Sequence, residues 1–158
     1  MANYIQTLRN LVGNRTIIHP AARIILENEA GEILLIRRKD NGRWGLIAGG
    51  LEEGEDITSC IIREVREETG LVIREPEGIG LSTRPETESV TYPNGDQVQY
   101  FTVVFYARHW TGELRMETDQ THEARFFPKD RLPELPPNEA PSLAWLEEYK
   151  QTGKFIIA

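Results

Sequence analysis

Cysteine occurs once in the 158 residues, at Cys60, which excludes a disulfide framework and a cysteine-built zinc site. No apolar run approaches the roughly 20 residues that cross a bilayer, and residues 1 to 13 alternate polar and apolar side chains without a leader-like apolar stretch. No membrane partner is therefore expected, and the expected location is the cytoplasm. Positive charge is also scarce: 18 Lys and Arg stand against 25 Asp and Glu, a net charge of −7. Binding a nucleic-acid duplex rests on clustered positive charge, so that partner is not expected. Repeats, low-complexity tracts and long linkers are missing too. The chain reads as one domain, residues 1–158, and an acidic domain that handles phosphates needs a metal or a local basic patch.

Hydrophobic residues make up 39% and charged residues 27% of the chain, the balance of a globular domain rather than a disordered one. Tyr4, Leu8, Leu11 and Val12 recur at helical spacing before Gly13, which predicts a short amphipathic helix within an N-terminal extension, residues 1–13. His19 to Glu27 and Glu32 to Arg38 read as strands around the turn Asn28-Glu29-Ala30-Gly31, a hairpin pattern. Residues 44–55 hold four glycines and no period and read as loop. Asp56 to Thr69 is the strongest helix, with Asp56 as N-cap and Gly70 as C-cap. Leu71 to Thr83 carries short extended segments. Ser89 to Tyr92 and Gln97 to Ala107 flank Pro93-Asn94-Gly95-Asp96, whose Asn-Gly step marks a hairpin. A strand at Ala124 to Phe127, a stiff connector at Pro133 to Pro137 and a closing helix at Asn138 to Lys150 complete the chain. The fold class is α+β: a mixed sheet between helices.

The helix over 56–69 is unusual. At roughly 100° per residue, Ile57, Ile61 and Val65 form one stripe, with Cys60 and Ile62 at its margins. Glu64 and Glu68 continue that stripe, Glu67 lies on its edge, and Arg63 and Arg66 point well away. Carboxylates aimed at a core are costly, and like charges three and four residues apart repel. Either the last turn clears the core and the glutamates are solvated, or they hold a divalent cation, for which carboxylates one turn apart are suited. Periodicity alone leaves both readings open.

The spacing goes further. Gly49, five residues, Glu55, seven residues, Arg63-Glu64-Val65, one residue, Glu67-Glu68, one residue, Gly70-Leu71 matches the Nudix box in full. The chain resembles the Nudix hydrolase family over residues 49–71, and the lead-in Trp44-Gly45-Leu46 is compatible with it. The resemblance implies an α/β/α sandwich that hydrolyses a pyrophosphate bond in a nucleoside diphosphate linked to another moiety, such as ADP-ribose, a nucleotide sugar or a (d)NTP, with Mg²⁺ or Mn²⁺. It implies Glu64 and Glu68 as principal metal ligands, Glu67 as an auxiliary ligand or water-orienting carboxylate, and the Gly49 carbonyl beside them. Arg63 is implied to hold Glu55 in place by ion pairing. One departure stands in the lead-in: Ile47-Ala48 occupies the position where many members carry Pro-Gly.

Beyond the box, Arg37 and Lys39 alternate to one side of a strand end and are candidates to meet phosphates. Trp44 either flanks a base or packs under the loop. Arg84 is a further substrate candidate, and Glu123, beside His122, is a candidate acid–base group. His19, His109 and Cys60 read as structural. The alternative function is a non-catalytic nucleotide-binding module, which commonly loses box glutamates; all are kept here. The N-terminal helix and the apolar tail Phe155-Ile156-Ile157-Ala158 suit a homodimer contact or docking on their own domain.

Overall fold

Near-continuous apolar runs, Ala21 to Leu26 apart from Arg23 and then Ile33 to Ile36, demand burial on both faces, and the chain provides it by placing them in two sheets that share a core. In the computed structural model, which describes residues 3–158, helix α1 (Tyr4–Val12) is followed by strands β1 (Ile17–Leu26), β2 (Ile33–Arg38), β3 (Trp44–Gly45) and β4 (Ile47–Gly50). Helix α2 (Ile57–Thr69) leads to β5 (Val72–Arg74), β6 (Glu77–Ser82), the single turn α3 (Pro85–Glu88), β7 (Ser89–Thr91) and β8 (Gln97–Ala107). Strands β9 (His109–Thr111) and β10 (Thr121–Phe127), helix α4 (Pro141–Thr152) and the short β11 (Ile156–Ile157) close the fold. Met1 and Ala2, the start of the expected extension, lie outside the described residues.

The larger sheet runs β11-β6-β8-β1-β4, with β7 also on β8. Strands β1 and β8 pair in parallel from Ile17↔Val98 to Leu26↔Ala107, so the sheet is mixed. A second sheet runs β10-β2-β3, and β5 pairs with β9 alone. Helix α2 packs Cys60, Ile61 and Val65 against Ala22, Ile24, Ile36 and Ile47. On the opposite side Leu146 of α4 packs with Ile25, Ile33, Leu35 and Ile79. The result is the expected α+β arrangement of sheets between helices.

Three local expectations are corrected. The β1–β2 turn forms, through Asn28 N–H to the Glu32 carbonyl at 3.0 Å, but the strands do not make a hairpin. They part after one bridge, Glu27↔Ile33, because each run has two apolar faces and is buried better between separate neighbours. Residues 44–55 are not all loop: β3 pairs with β2, and β4 pairs with β1 through Ile24↔Ile47 and Ala22↔Gly49. Glycine density hid this strand. On α2, Arg66 is exposed as expected, whereas Arg63 turns back into an acidic cluster. Helix α1 forms, but Leu11 is 80% exposed, and the helix is held through Tyr4 at its start and Arg9 near its end. The apolar tail docks on its own domain: β11 pairs with β6, and Thr83 N–H donates to the Ala158 carbonyl at 2.6 Å.

Two buried charges tie the layers together. Arg23 of β1 donates to Glu88 Oε1 at 3.0 Å and to the Asn138 carbonyl at 2.9 Å, with both side chains almost fully buried. Ser82 and Thr102 donate to the same carboxylate at 2.6 and 3.3 Å, which leaves Glu88 fully partnered. Just beyond the C-terminal end of β1, Glu27 receives Tyr106 Oη at 2.6 Å and Lys150 Nζ at 3.0 Å, and also pairs with Lys129. Burial by itself would raise the Glu27 carboxyl, but the hydrogen bonds from Lys129, Tyr106 and Lys150 outweigh it and hold the pKa at about 2.

Removing Glu88 strands a buried guanidinium, so Glu88→Ala is expected to cost about 3–5 kcal/mol in urea unfolding; a loss below about 1 kcal/mol contradicts this role. Because the Glu27 pKa is lower in the folded chain than in the unfolded one, its contribution is full above the unfolded value and is lost as pH falls toward the folded one. The urea midpoint should therefore drop between about pH 5 and pH 2, and Glu27→Gln should flatten that drop. An equally steep drop in the variant rules the assignment out.

Candidate active site

Helix α2 starts where the Asp56 carboxylate accepts from Ser59 N–H at 2.8 Å and ends where Gly70, at φ 82°, donates to the Arg66 carbonyl. Those caps and the apolar stripe fix its rotation, and the rotation carries Glu64 and Glu68 inward. Glu68 is 2% exposed and Glu64 8%, so the solvated reading of these carboxylates fails; Glu67 alone of the three is exposed.

Strand β4 forms the opposite wall. A Cβ on Gly49 would fall 2.0 Å from the Glu64 carboxyl carbon, so the glutamate lies flat on the Gly49 backbone in space that any side chain would fill. The Ala48 backbone N–H lies near enough to the Glu68 carboxylate to lower it slightly, and Ile47 is fully buried in the core. The Ile47-Ala48 departure is thus accommodated within a strand.

Arg63 joins the acidic groups. Its Nε and Nη2 bind both Glu55 oxygens at 2.6 and 3.0 Å, Nη1 binds Glu64 at 2.8 Å and Glu67 at 3.2 Å, and Nη2 donates to the Gly50 carbonyl at 3.1 Å. The bond from Arg63 holds Glu55 below the usual carboxylate range. Burial pushes Glu64 upward against the pull of Arg63. Burial, reinforced by the charge of Glu64, pushes Glu68 well upward, with Arg38 and the Ala48 N–H opposing. Cys60, beneath the cluster near the Gly50 carbonyl at 3.5 Å, is desolvated and pushed up to about 12, so it is a packed thiol rather than a nucleophile.

The donor set suits a hard divalent cation. Glu68 Oε2 is buried and has no hydrogen-bond partner among the described residues, a costly state for an anion unless a cation completes it. Among the described residues no three acidic, histidine or cysteine side chains already converge as a shell, because Arg63 draws Glu64 and Glu67 to itself.

The structure brings together Gly49, Glu55, Arg63, Glu64, Glu67 and Glu68. The other sequence-derived candidates make no hydrogen bond or ion pair with these carboxylates. Arg37 is exposed and donates to the Gly42 carbonyl at 3.1 Å; Lys39 lies 3.9 Å from Glu117. Trp44 packs edge-on against Phe127 at 4.9 Å with Arg125 over its ring, which favours the packing reading. Arg84 is exposed and precedes α3, and Glu123 pairs with Arg125.

Two residues were missed. Arg38 lies near enough to Glu68 and Glu139 for its charge to act on both, since Leu34, Ile36 and Arg38 alternate onto the α2 side of β2. That alternation is legible in the sequence, and it sets Arg38 on the face of β2 opposite Arg37. Glu139 accepts from Leu46 N–H at 2.5 Å, and burial raises its carboxyl. It comes from 93 residues downstream, and no local pattern signals it.

Comparison with known proteins agrees with this geometry. The family model described as NUDIX domain matches residues 17–146, leaving α1 outside. The chain is 34% identical over 132 residues to an ADP-ribose pyrophosphatase of Methanocaldococcus jannaschii, covering 80% of this chain and 73% of that protein. It is 33% identical over 115 residues to the NAD-capped RNA hydrolase NudC of Pseudomonas aeruginosa, 72% of this chain but only 37% of that longer protein. A MutT NUDIX hydrolase from Burkholderia pseudomallei superposes with a TM-score of 0.64 at 25% identity, covering 83% of this chain and 97% of that one. An ADP-ribose pyrophosphatase from Streptococcus suis superposes with a TM-score of 0.65 at 21% identity, covering 89% and 98%, a likeness of fold. With its complete box brought together between α2 and β4, the chain belongs to the Nudix hydrolase family and is a pyrophosphohydrolase.

Proposed function

We propose that the box cluster hydrolyses the pyrophosphate bond of a nucleoside diphosphate linked to another moiety, with Mg²⁺ or Mn²⁺ bound at Glu64, Glu67, Glu68 and the Gly49 carbonyl. The observation that carries the proposal is the buried, unpartnered Glu68 oxygen beside Glu64 and the bare Gly49 backbone. Bound by these residues, a divalent ion would supply charge neutralisation of the pyrophosphate, polarisation of phosphorus and activation of the attacking water. The chain's own groups divide the remaining work. Glu68 and Glu64 are held ionisable but dry, so each is a strong ligand. Glu67, the exposed carboxylate, orients water at the mouth of the cluster. Arg63 keeps the carboxylates from repelling one another and positions them.

An ADP-ribose-like substrate is the preferred class, on the likeness to the Methanocaldococcus jannaschii protein over most of both chains. Arg37, Lys39 and Arg84 are exposed cations that phosphates can meet without disturbing the core. Trp44 belongs to the packing beneath them, and Glu123 serves as a second acid–base group only if Arg125 releases it.

Loss of a ligand carboxylate should exceed the cost of losing a supporting residue, so Glu68→Gln is expected to lower kcat at least about 100-fold with melting temperature maintained or raised. Wild-type turnover at saturating Mg²⁺ rules the assignment out. Gly49→Ala should displace the Glu64 carboxylate and lower kcat at least about tenfold, read in the same assay with and without EDTA; a silent substitution means that Glu64 is not held against β4 in the working enzyme.

A further inference from the structure

The two glycines at the end of β4 are gripped from opposite sides. Gly49 faces the Glu64 carboxylate, as described; Gly50 faces the ring of His19, where a Cβ would fall 2.4 Å from His19 Cε1. Strand alternation produces this arrangement, since β4 residues point in turn toward α2 and toward the N-terminal layer. His19 is 3% exposed and its Nε2 lies 3.1 Å from the Leu51 carbonyl. That carbonyl is an acceptor, so Nε2 carries a proton and donates; Nδ1 has no partner among the described residues. The ring is enclosed by Tyr4 of α1 and Tyr100 of β8, with centroids at 5.8 and 6.0 Å.

Helix α1 adds a second hold on the same loop. Its first residue, Tyr4, donates its backbone N–H to Glu52 Oε1 at 2.9 Å. Glu52 in turn donates its own N–H to Glu55 Oε1 at 3.1 Å, and Glu55 is the bidentate partner of Arg63. At its other end α1 is anchored by Arg9, which donates to the Gly13 carbonyl at 2.9 Å and to the carbonyls of Arg15 and Gln97, and lies 3.7 Å from Asp96. A continuous set of contacts thus runs from α1 and His19, through residues 50–55, to the guanidinium that spaces the carboxylates.

We propose that His19 and helix α1 are positioning elements of the active site, clamping residues 50–55 so that Glu55 and Arg63 hold Glu64 and Glu67 in the hydrolytic arrangement. His19, unpatterned in sequence, is thereby more than core filling. The clamp rests on reading the box cluster as the hydrolytic centre. Its effect falls on the arrangement needed in the transition state rather than on substrate affinity, so it belongs in kcat and not in KM.

The test compares His19→Phe, which keeps an aromatic ring but loses the donor to Leu51, with His19→Gln, whose amide supplies a donor at the place of Nε2. Glu52→Ala cuts the α1 link at a partly exposed residue, where misfolding is not at issue. Each is measured for kcat and KM with Mg²⁺, for Mn²⁺ binding without substrate, and for amide hydrogen exchange over residues 50–55. His19→Phe and Glu52→Ala should lower kcat at least about tenfold with KM within about twofold, weaken Mn²⁺ binding and speed exchange over 50–55, and His19→Gln should recover most of the loss. Wild-type kcat and exchange in both His19→Phe and Glu52→Ala overturn the clamp. Equal damage in His19→Phe and His19→Gln also overturns it, since that is a packing role. If Glu68→Gln keeps full turnover, the reading of the site fails instead; the clamp is then decided by exchange alone, and unchanged protection over 50–55 in His19→Phe overturns it.

Discussion

One guanidinium makes the acidic cluster possible. Glu55, Glu64 and Glu67 all reach Arg63, and without a shared cation between them these carboxylates would repel one another across a few ångströms. Arginine suits the position because its planar fork serves several acceptors at once, here three carboxylates and the Gly50 carbonyl. Lysine would offer the charge without the geometry. The path of residues 50–55 and the orientation of Glu64 both depend on that hub.

Glu68 stands outside the hub, and this asymmetry gives the site its character. It is deeper than Glu64, relieved only by the Ala48 N–H and the more distant charge of Arg38, and burial raises its carboxyl accordingly. A protein gains no stability from such a group by itself. A buried anion with an open lone pair becomes favourable when a cation binds it, which ties the carboxylate's cost to ligand affinity rather than to folding. On the proposed reading, the same logic reconciles a net charge of −7 with a polyanionic substrate, since cations bound at the acidic cluster would present the positive face.

The scaffold around the cluster is held by partnered buried charges. Arg23–Glu88 is a buried pair with every carboxylate oxygen satisfied, and Glu27 is surrounded by donors at the far end of β1. Both networks join elements distant in sequence around the central strand, so the frame holds its shape while the cluster stays electrostatically unsettled. Between the two lies β4, backed by Gly49 on Glu64 and Gly50 on His19. The lack of side chains at these two glycines lets a helix carboxylate and an imidazole approach adjacent backbone positions from opposite faces.

What the sequence determined by itself is local or fixed by spacing. The caps and apolar stripe of α2, the Asn94-Gly95 hairpin between β7 and β8, and the box residues that meet at the cluster were all legible, because each depends on short-range periodicity or on intervals along one helix and its leading loop. Tertiary structure decided the rest. It separated β1 from β2 because two-faced apolar strands are buried better between distant neighbours than against each other. It turned Arg63 inward because long side chains follow charge, not the direction of the helix stripe. It drew His19 and helix α1 to residues 50–55 and Glu139 to Leu46 from distant parts of the chain, and such convergence leaves no local mark, since the residues that meet have no common period or interval to betray them.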